Sequence, residues 1–191
     1  MTNVFFYYLC HMAETKSKIL QSAIIIWGKN LTASLDDIAS HINISRRTLH
    51  RHYSGRDDLM NSVFNYIIEE YLIQIKIIIQ NASSHKNQLK AFLYYDIESG
   101  SKYLVFCQLR KTNYKEIESQ NVNFQELYAI YQGLFKQLKD EKKIREKLSS
   151  QWLEIFYSTI VESALKSIDS GVNKKECLNM SWSSFWNGIK R

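Results

Sequence analysis

Ser34-Leu35-Asp36-Asp37-Ile38-Ala39-Ser40-His41-Ile42-Asn43-Ile44-Ser45-Arg46-Arg47-Thr48-Leu49-His50-Arg51-His52-Tyr53 is the stretch that decides the fold. Ser34 precedes Asp37 by three residues, a capping-box variant that opens a helix. That helix reaches Ser40 or His41 and turns Leu35, Ile38, Ala39 and Ile42 inward. Ile42-Asn43-Ile44 leaves room only for a turn. Ser45 then caps a second helix ending near His52, with Thr48 at its third position. Two helices joined by so short a turn make a helix-turn-helix.

The second helix is poor in apolar residues. Leu49 and Tyr53 form a narrow docking stripe, and Arg46, Arg47, His50 and Arg51 fill the opposite face. Residues 45–56 hold four Arg and no acid. A cationic helix of this kind in a major groove can meet base edges and phosphates together. A solvated charged helix is the plain alternative; the caps, the turn spacing and the preceding amphipathic helix favour DNA.

Working outward, Ile19, Leu20, Ala23, Ile24 and Trp27 recur at three- and four-residue spacing and predict a first helix over 15–27. Ser54-Gly55-Arg56-Asp57 is a break and a cap. A long helix follows to about Ile79, carrying Leu59, Val63, Phe64, Ile67, Tyr71, Ile75 and Ile78, and its length suggests a connector. Further helices are predicted over 86–98, 102–109, 124–139, 150–169 and 174–189, about nine in all. Gly100 and Gly171 fall at helix ends, where positive φ is often needed. The charged stretch 139–147 reads as a solvated helix end or loop.

Composition agrees with an all-α chain. The 191 residues contain no Pro and 6 Gly, against the roughly 5% and 7% of ordinary proteins. Sheet-rich folds with many tight turns are disfavoured. The net charge of +6 suits a nucleic-acid partner without requiring one. Cys10, Cys107 and Cys177 are scattered and form no CxxC, which reads as a reduced cytosolic chain without disulfides or metal. The longest apolar runs, 4–10 and 72–79, the second interrupted by Lys76, are too short for a membrane span. Val4 to Cys10 lacks the marks of a signal peptide, and Met12 is expected to be the natural initiator.

Residues 12–64 resemble the DNA-binding domain of TetR/AcrR-type transcriptional regulators. The resemblance rests on the ordered run Ile26-Trp27, Ser34-Leu35-Asp36-Asp37-Ile38-Ala39, Ser45-Arg46-Arg47-Thr48-Leu49-His50-Arg51-His52-Tyr53 and Arg56-Asp57-Asp58-Leu59. Three positions depart from the usual pattern: Asn43 stands for a turn Gly, Arg47 for a Gly or Pro, and His50 for an aromatic. The resemblance implies a DNA-binding domain over 12–58 and a helical ligand-binding and dimerisation domain over 59–191. It implies that Arg46, Arg47 and Thr48 approach bases, while Ser34, Ser45, His50, Arg51, His52 and Arg56 lie nearer the phosphates. His52 has an equal structural alternative, packing beside the first helix.

For the second domain the resemblance implies a homodimer built on the last two helices. Trp152, Phe156, Thr159, Ser163, Lys166, Trp182, Phe185 and Trp186 are the candidate interface. Tyr71, Phe92, Tyr95, Tyr103, Phe106, Cys107, Tyr128, Tyr131 and Phe135 are the candidate lining of a pocket for a hydrophobic or aromatic effector, with Glu98 and Arg110 as candidate polar anchors. The expected function is a ligand-responsive dimeric repressor acting on double-stranded operator DNA, with no cofactor. The alternative is a helical sensor or interaction protein without operator binding. An enzyme is disfavoured, because HExxH, P-loop, GxGxxG and GxSxG motifs are all missing.

Overall fold

A computed structural model describes residues 2–111 and 121–191, with side chains described over 14–110 and 121–191. Among the described residues there are nine helices and no strand: α1 (Thr2–Lys29), α2 (Leu35–His41), α3 (Arg46–His52), α4 (Arg56–Asn81), α5 (His85–Ser99), α6 (Ser101–Lys111), α7 (Val122–Asp140), α8 (Ser150–Asp169) and α9 (Lys174–Ile189). The expected initiator Met12 falls outside the described side chains. The backbone of α1 begins thirteen residues before the expected start near Thr15. The chain forms two compact units: Met1–Ile67 with Ser101–Asn113, and Ile68–Gly100 with Tyr114–Arg191. The single helix α4 belongs to both.

In the first unit the buried face of α1 is Ile19, Ala23, Ile24 and Trp27. Helix α1 packs on α2 and α6, and Ile38 and Ala39 of α2, Leu49 of α3, Leu59, Val63 and Phe64 of α4, and Val105 and Leu109 of α6 are buried in the same unit. Helix α6 lies along α1 closely enough that a Cβ on Gly28 would sit 2.8 Å from the Cβ of Ser101. Ser22 binds α2 to α1, donating to the carbonyl of Ile38 at 3.1 Å and meeting His41 Nδ1 at 3.0 Å.

The α1–α2 connection is held from inside. Trp27 Nε1 donates to the Ala33 carbonyl at 3.1 Å. The Arg56 guanidinium donates to the carbonyls of Leu31 and Ala33 and lies 4.9 Å from the Trp27 ring. Arg56 therefore works as a latch on this loop, with one hydrogen each of Nη1 and Nη2 on backbone carbonyls, beside any contact to phosphate. Arg56→Lys loses the planar fork that reaches two carbonyls at once. We expect it to lower the stability of the first unit by about 1–3 kcal/mol, read as a shift of the urea midpoint.

In the second unit α8 and α9 pack through Leu153, Tyr157, Val161 and Ala164 against Cys177, Leu178, Phe185 and Ile189. A Cβ on Gly188 would reach 2.7 Å from the Phe156 ring, so this glycine permits the close approach. The 139–147 stretch contains a buried anchor as well as charge. Ile144 is 1% exposed and bridges Lys190, while Arg191 N donates to the Lys143 carbonyl at 3.1 Å.

Candidate nucleic-acid interface and ligand centre

The geometry of α3 starts with its caps. Ser45 Oγ accepts from Thr48 N at 3.1 Å and meets Thr48 Oγ1 at 2.9 Å. On α2, Ser34 Oγ accepts from Asp37 N at 3.1 Å, and Asp37 Oδ2 accepts from Ser34 N at 2.7 Å. The Ser34 hydroxyl, donating to Asp37 Oδ2 at 2.8 Å, and then the Ser34 N–H hold the Asp37 carboxyl below the usual carboxylate range. Asn43 in the turn has φ 55°, the left-handed conformation that Asn tolerates better than most residues. Ser34, Ser45 and Thr48 thus have structural tasks as helix caps, beside any contact to DNA.

Leu49 and Tyr53 seat α3 in the core and are 0% and 1% exposed. The opposite face holds Arg46, Arg47, His50 and Arg51, all exposed. Arg47 and Arg51 make no hydrogen bond or ion pair among the described residues. Arg46 differs: its Nη1 donates to Asp36 Oδ2 at 2.9 Å, and its Nε lies 3.4 Å from His50 Nε2. His52 turns the other way. Its Nε2 is buried without a hydrogen-bond partner, and burial, helped by Arg51 and Lys16, pushes its pKa below the ordinary histidine value. The packing alternative describes His52, a neutral side chain, better than a phosphate contact does.

The candidate pocket residues divide between the units. Tyr103, Phe106 and Cys107 belong to the first, where Phe106 stacks near Phe64 at 6.2 Å between centroids. Tyr71, Phe92, Tyr95, Tyr128, Tyr131 and Phe135 belong to the second. Tyr128 is exposed, as is the candidate anchor Glu98, which is corrected on that ground. Tyr71, Tyr95, Phe92 and Tyr131 do converge, with Tyr71–Tyr95 at 5.1 Å and Phe92–Tyr131 at 5.0 Å.

They converge on a residue outside the candidate set. Asp96 of α5 is 2% exposed. Tyr157 donates to its Oδ2 at 2.6 Å, and Tyr131 donates at 3.2 Å to the same oxygen. Tyr71 adds a third hydroxyl favouring the charged form. Burial outweighs all three and pushes the Asp96 pKa up to about 7. Tyr131 is held well above the ordinary tyrosine value by the same burial and by Asp96. Asp96 follows Leu89, Phe92 and Leu93 at spacings of seven, four and three, so its place on the apolar stripe was a usable sequence signal.

On the candidate dimer face, Trp152 is 42% and Ile155 58% exposed. Thr159, Ser163 and Lys166 continue that exposed side of α8, and Phe156 is half-buried. Trp182 and Trp186 of α9 are half-buried and stacked at 5.3 Å, with Lys86 Nζ 4.7 Å from the Trp186 ring. Phe185 is corrected: it is 0% exposed, 5.4 Å from both Phe156 and Tyr157, and serves the monomer core.

No family model matches the chain. It is 23% identical over 139 residues to YvaF, an HTH-type transcriptional regulator of Bacillus subtilis, covering 71% of this chain and 73% of that protein. Over 54 residues it is 34% identical to the repressor LfrR of Mycolicibacterium smegmatis, covering 28% of this chain and 29% of LfrR. The crystal structure of LfrR matches with a TM-score of 0.66 at 17% identity, covering 91% of this chain and 99% of that one. A TetR-family regulator from Marinobacter aquaeolei matches with a TM-score of 0.68 at 15% identity, covering 92% and 96%. These likenesses support a DNA-binding transcriptional regulator, and the architecture of the chain is the TetR-family fold.

Proposed function

We propose that the chain is a dimeric repressor that binds double-stranded operator DNA through α3 and is released by a small-molecule effector held in the second unit. The capped, cationic α3 carries this reading. Leu49 fixes the helix from behind while Arg46, Arg47, His50 and Arg51 stay exposed on its outer face. A twofold pairing sets two such helices about 34–36 Å apart, in successive major grooves. The exposed Trp152, Ile155, Thr159, Ser163 and Lys166 side of α8, flanked by Trp182 and Trp186, is the surface for that pairing. The exposed Trp152 and Ile155 beside the half-buried Trp182 and Trp186 favour this side as an interaction site. A regulator of this kind works on DNA in the cytoplasm, and among the described residues no helix is long and apolar enough to cross a membrane.

The effector site is assigned to Asp96 and its tyrosines. A buried carboxyl whose partners are hydroxyls and not a cation is costly to ionise. The surrounding rings suit a flat aromatic ligand, and a positive charge on it supplies the missing counterion. LfrR, of the same fold, has been crystallised in complex with proflavine, at a TM-score of 0.66 to this chain. Helix α4 couples the two ends, because it carries Leu59 and Val63 in the first unit and Tyr71 in the second. An effector shifts the operator-binding state only by its difference in affinity between states.

Selection of bound duplexes from a random library, followed by titration at several salt concentrations, tests the DNA reading. The expected outcome is one enriched twofold sequence whose affinity falls steeply with salt. A protein that enriches nothing is a helical sensor without operator binding. Proflavine then serves as the effector probe. It is expected to release the operator from the wild type and to bind Asp96→Asn about tenfold more weakly.

A further inference from the structure

Arg46 and Arg47 are neighbours on α3, yet the structure treats them differently. Arg47 extends into solvent with no partner among the described residues. Arg46 is fixed at two edges of its guanidinium, by Asp36 on α2 at 2.9 Å and by the long contact to His50 at 3.4 Å. The neighbouring acid, Asp37, is engaged in capping α2 through Ser34. Asp36 is therefore the carboxylate free to face the cations of α3, and it engages one of them.

Stability does not explain this pair. Both side chains are largely exposed, at 66% for Arg46 and 54% for Asp36. Ion pairs so exposed contribute little to folding. A carboxylate beside a DNA-facing helix also opposes phosphate binding, because it repels the same backbone that the arginines attract. Its presence is costly for bulk affinity and needs another reason.

We propose that Asp36 is a positioning residue that sets operator specificity by holding the Arg46 guanidinium in one plane for a base edge. The inference rests on the DNA-binding reading of α3. An arginine has many rotamers, and a tethered one loses less freedom on docking. With Nη1 and Nε anchored, the Nη2 hydrogens and the second Nη1 hydrogen point outward. Those donors match the two acceptors that guanine presents in the major groove. Arg47 and Arg51, untethered, suit phosphates, whose positions tolerate a mobile cation. The contact from Arg46 Nε to His50 Nε2 forms only while that nitrogen carries no proton. The His50 ring thus supports the same orientation from the other edge.

This arrangement makes an unusual prediction for Asp36→Ala and Asp36→Asn. Affinity for a random duplex should rise several-fold, because one negative charge near the phosphates is gone. Affinity for the operator selected with the wild type should not rise in step, so the specific-to-nonspecific ratio falls about tenfold. Reselection with Asp36→Ala should lose its preference at the base pair contacted by Arg46 and keep it elsewhere. Asp36→Glu, which keeps the charge at a different reach, should restore part of the ratio. Urea midpoints separate this from a structural role, and they should stay at the wild-type value. If the wild type enriches an operator and Asp36→Ala recognises it with an unchanged ratio, the positioning role is wrong while DNA binding by α3 stands. If the wild type enriches no sequence, the DNA reading itself fails and this role falls with it.

Discussion

Arg46→Ala combined with Arg47→Ala is expected to lower operator affinity by about a hundredfold or more while leaving the oligomeric mass unchanged. The expectation follows from what each side chain lacks on the protein side. Both are exposed and neither touches the core. A bidentate arginine–guanine contact discriminates by about 1–3 kcal/mol, and a phosphate contact removes nearly one unit from the salt slope. Losing one of each kind reaches two decades at moderate salt. Alanine is a better helix former than arginine, so α3 keeps its shape over Leu49.

The two single variants should separate the roles. Arg46→Ala should change which sequences are preferred, because it removes the tethered guanidinium. Arg47→Ala should weaken all duplexes more evenly and flatten the salt dependence. Anisotropy titrations on the selected operator and on a scrambled duplex read both effects, and light scattering on the eluted protein reads the mass. Undiminished operator affinity in the double variant would place the DNA contact on another surface.

What could be read beforehand depended on the range of each interaction. Helices α8 and α9 appear at their expected bounds because Ser149 and Asn173 are local caps and Gly171 takes positive φ beside them. The turn residue Asn43 likewise adopts the expected left-handed backbone. Helix α1 begins well before the expected start near Thr15, which followed from taking Met12 as initiator, and no Pro or Gly interrupts it before Gly28. The expectation for Arg56 rests on the family resemblance and on its place at a helix start. Its carbonyl partners lie 23 and 25 residues earlier and come close only when α1 and α4 pack. Phe185 was read as a surface aromatic beside two tryptophans. Its spacing with Leu178, Ser181 and Ile189 puts it on the inner stripe of α9, and Trp182 and Trp186 flank that stripe. Asp96 was missed because its environment is assembled from Tyr71, Tyr131 and Tyr157, each on a different helix.

That assembly leads to the second large expected effect, a fall in stability as pH rises from about 4 to about 7, which Asp96→Asn abolishes. Asp96 is held at about 7, against an ordinary 3.8. Between those values the folded chain keeps a proton that the unfolded chain has released. The contribution of this group is therefore complete below about pH 4 and is lost as pH passes 7. A shift of about three units corresponds to at most roughly 4 kcal/mol. Tyr131 stays neutral throughout this window, since its own pKa is raised. Asparagine keeps an oxygen for the tyrosine hydroxyls and cannot ionise. Wild type and Asp96→Asn should match within about 1 kcal/mol at pH 4.5 and diverge progressively between about pH 5 and 7, with the variant more stable at pH 8 by roughly 2–4 kcal/mol. Other titrating groups are common to both proteins and cancel in the difference.

A stabilising substitution at a buried acid is informative because such an acid persists at a cost to the fold. In the proposed effector site, the charge that destabilises the unliganded second unit at pH 8 is the one that would attract a cationic effector. Proflavine should therefore raise the melting temperature of the wild type more at pH 8 than at pH 5, since the ligand repays the ionisation that the empty site cannot. The variant should show little ligand stabilisation at either pH. Parallel pH–stability curves for the two proteins would remove Asp96 as the titrating group. Divergent curves with equal proflavine shifts would leave the titration in place and move the ligand elsewhere.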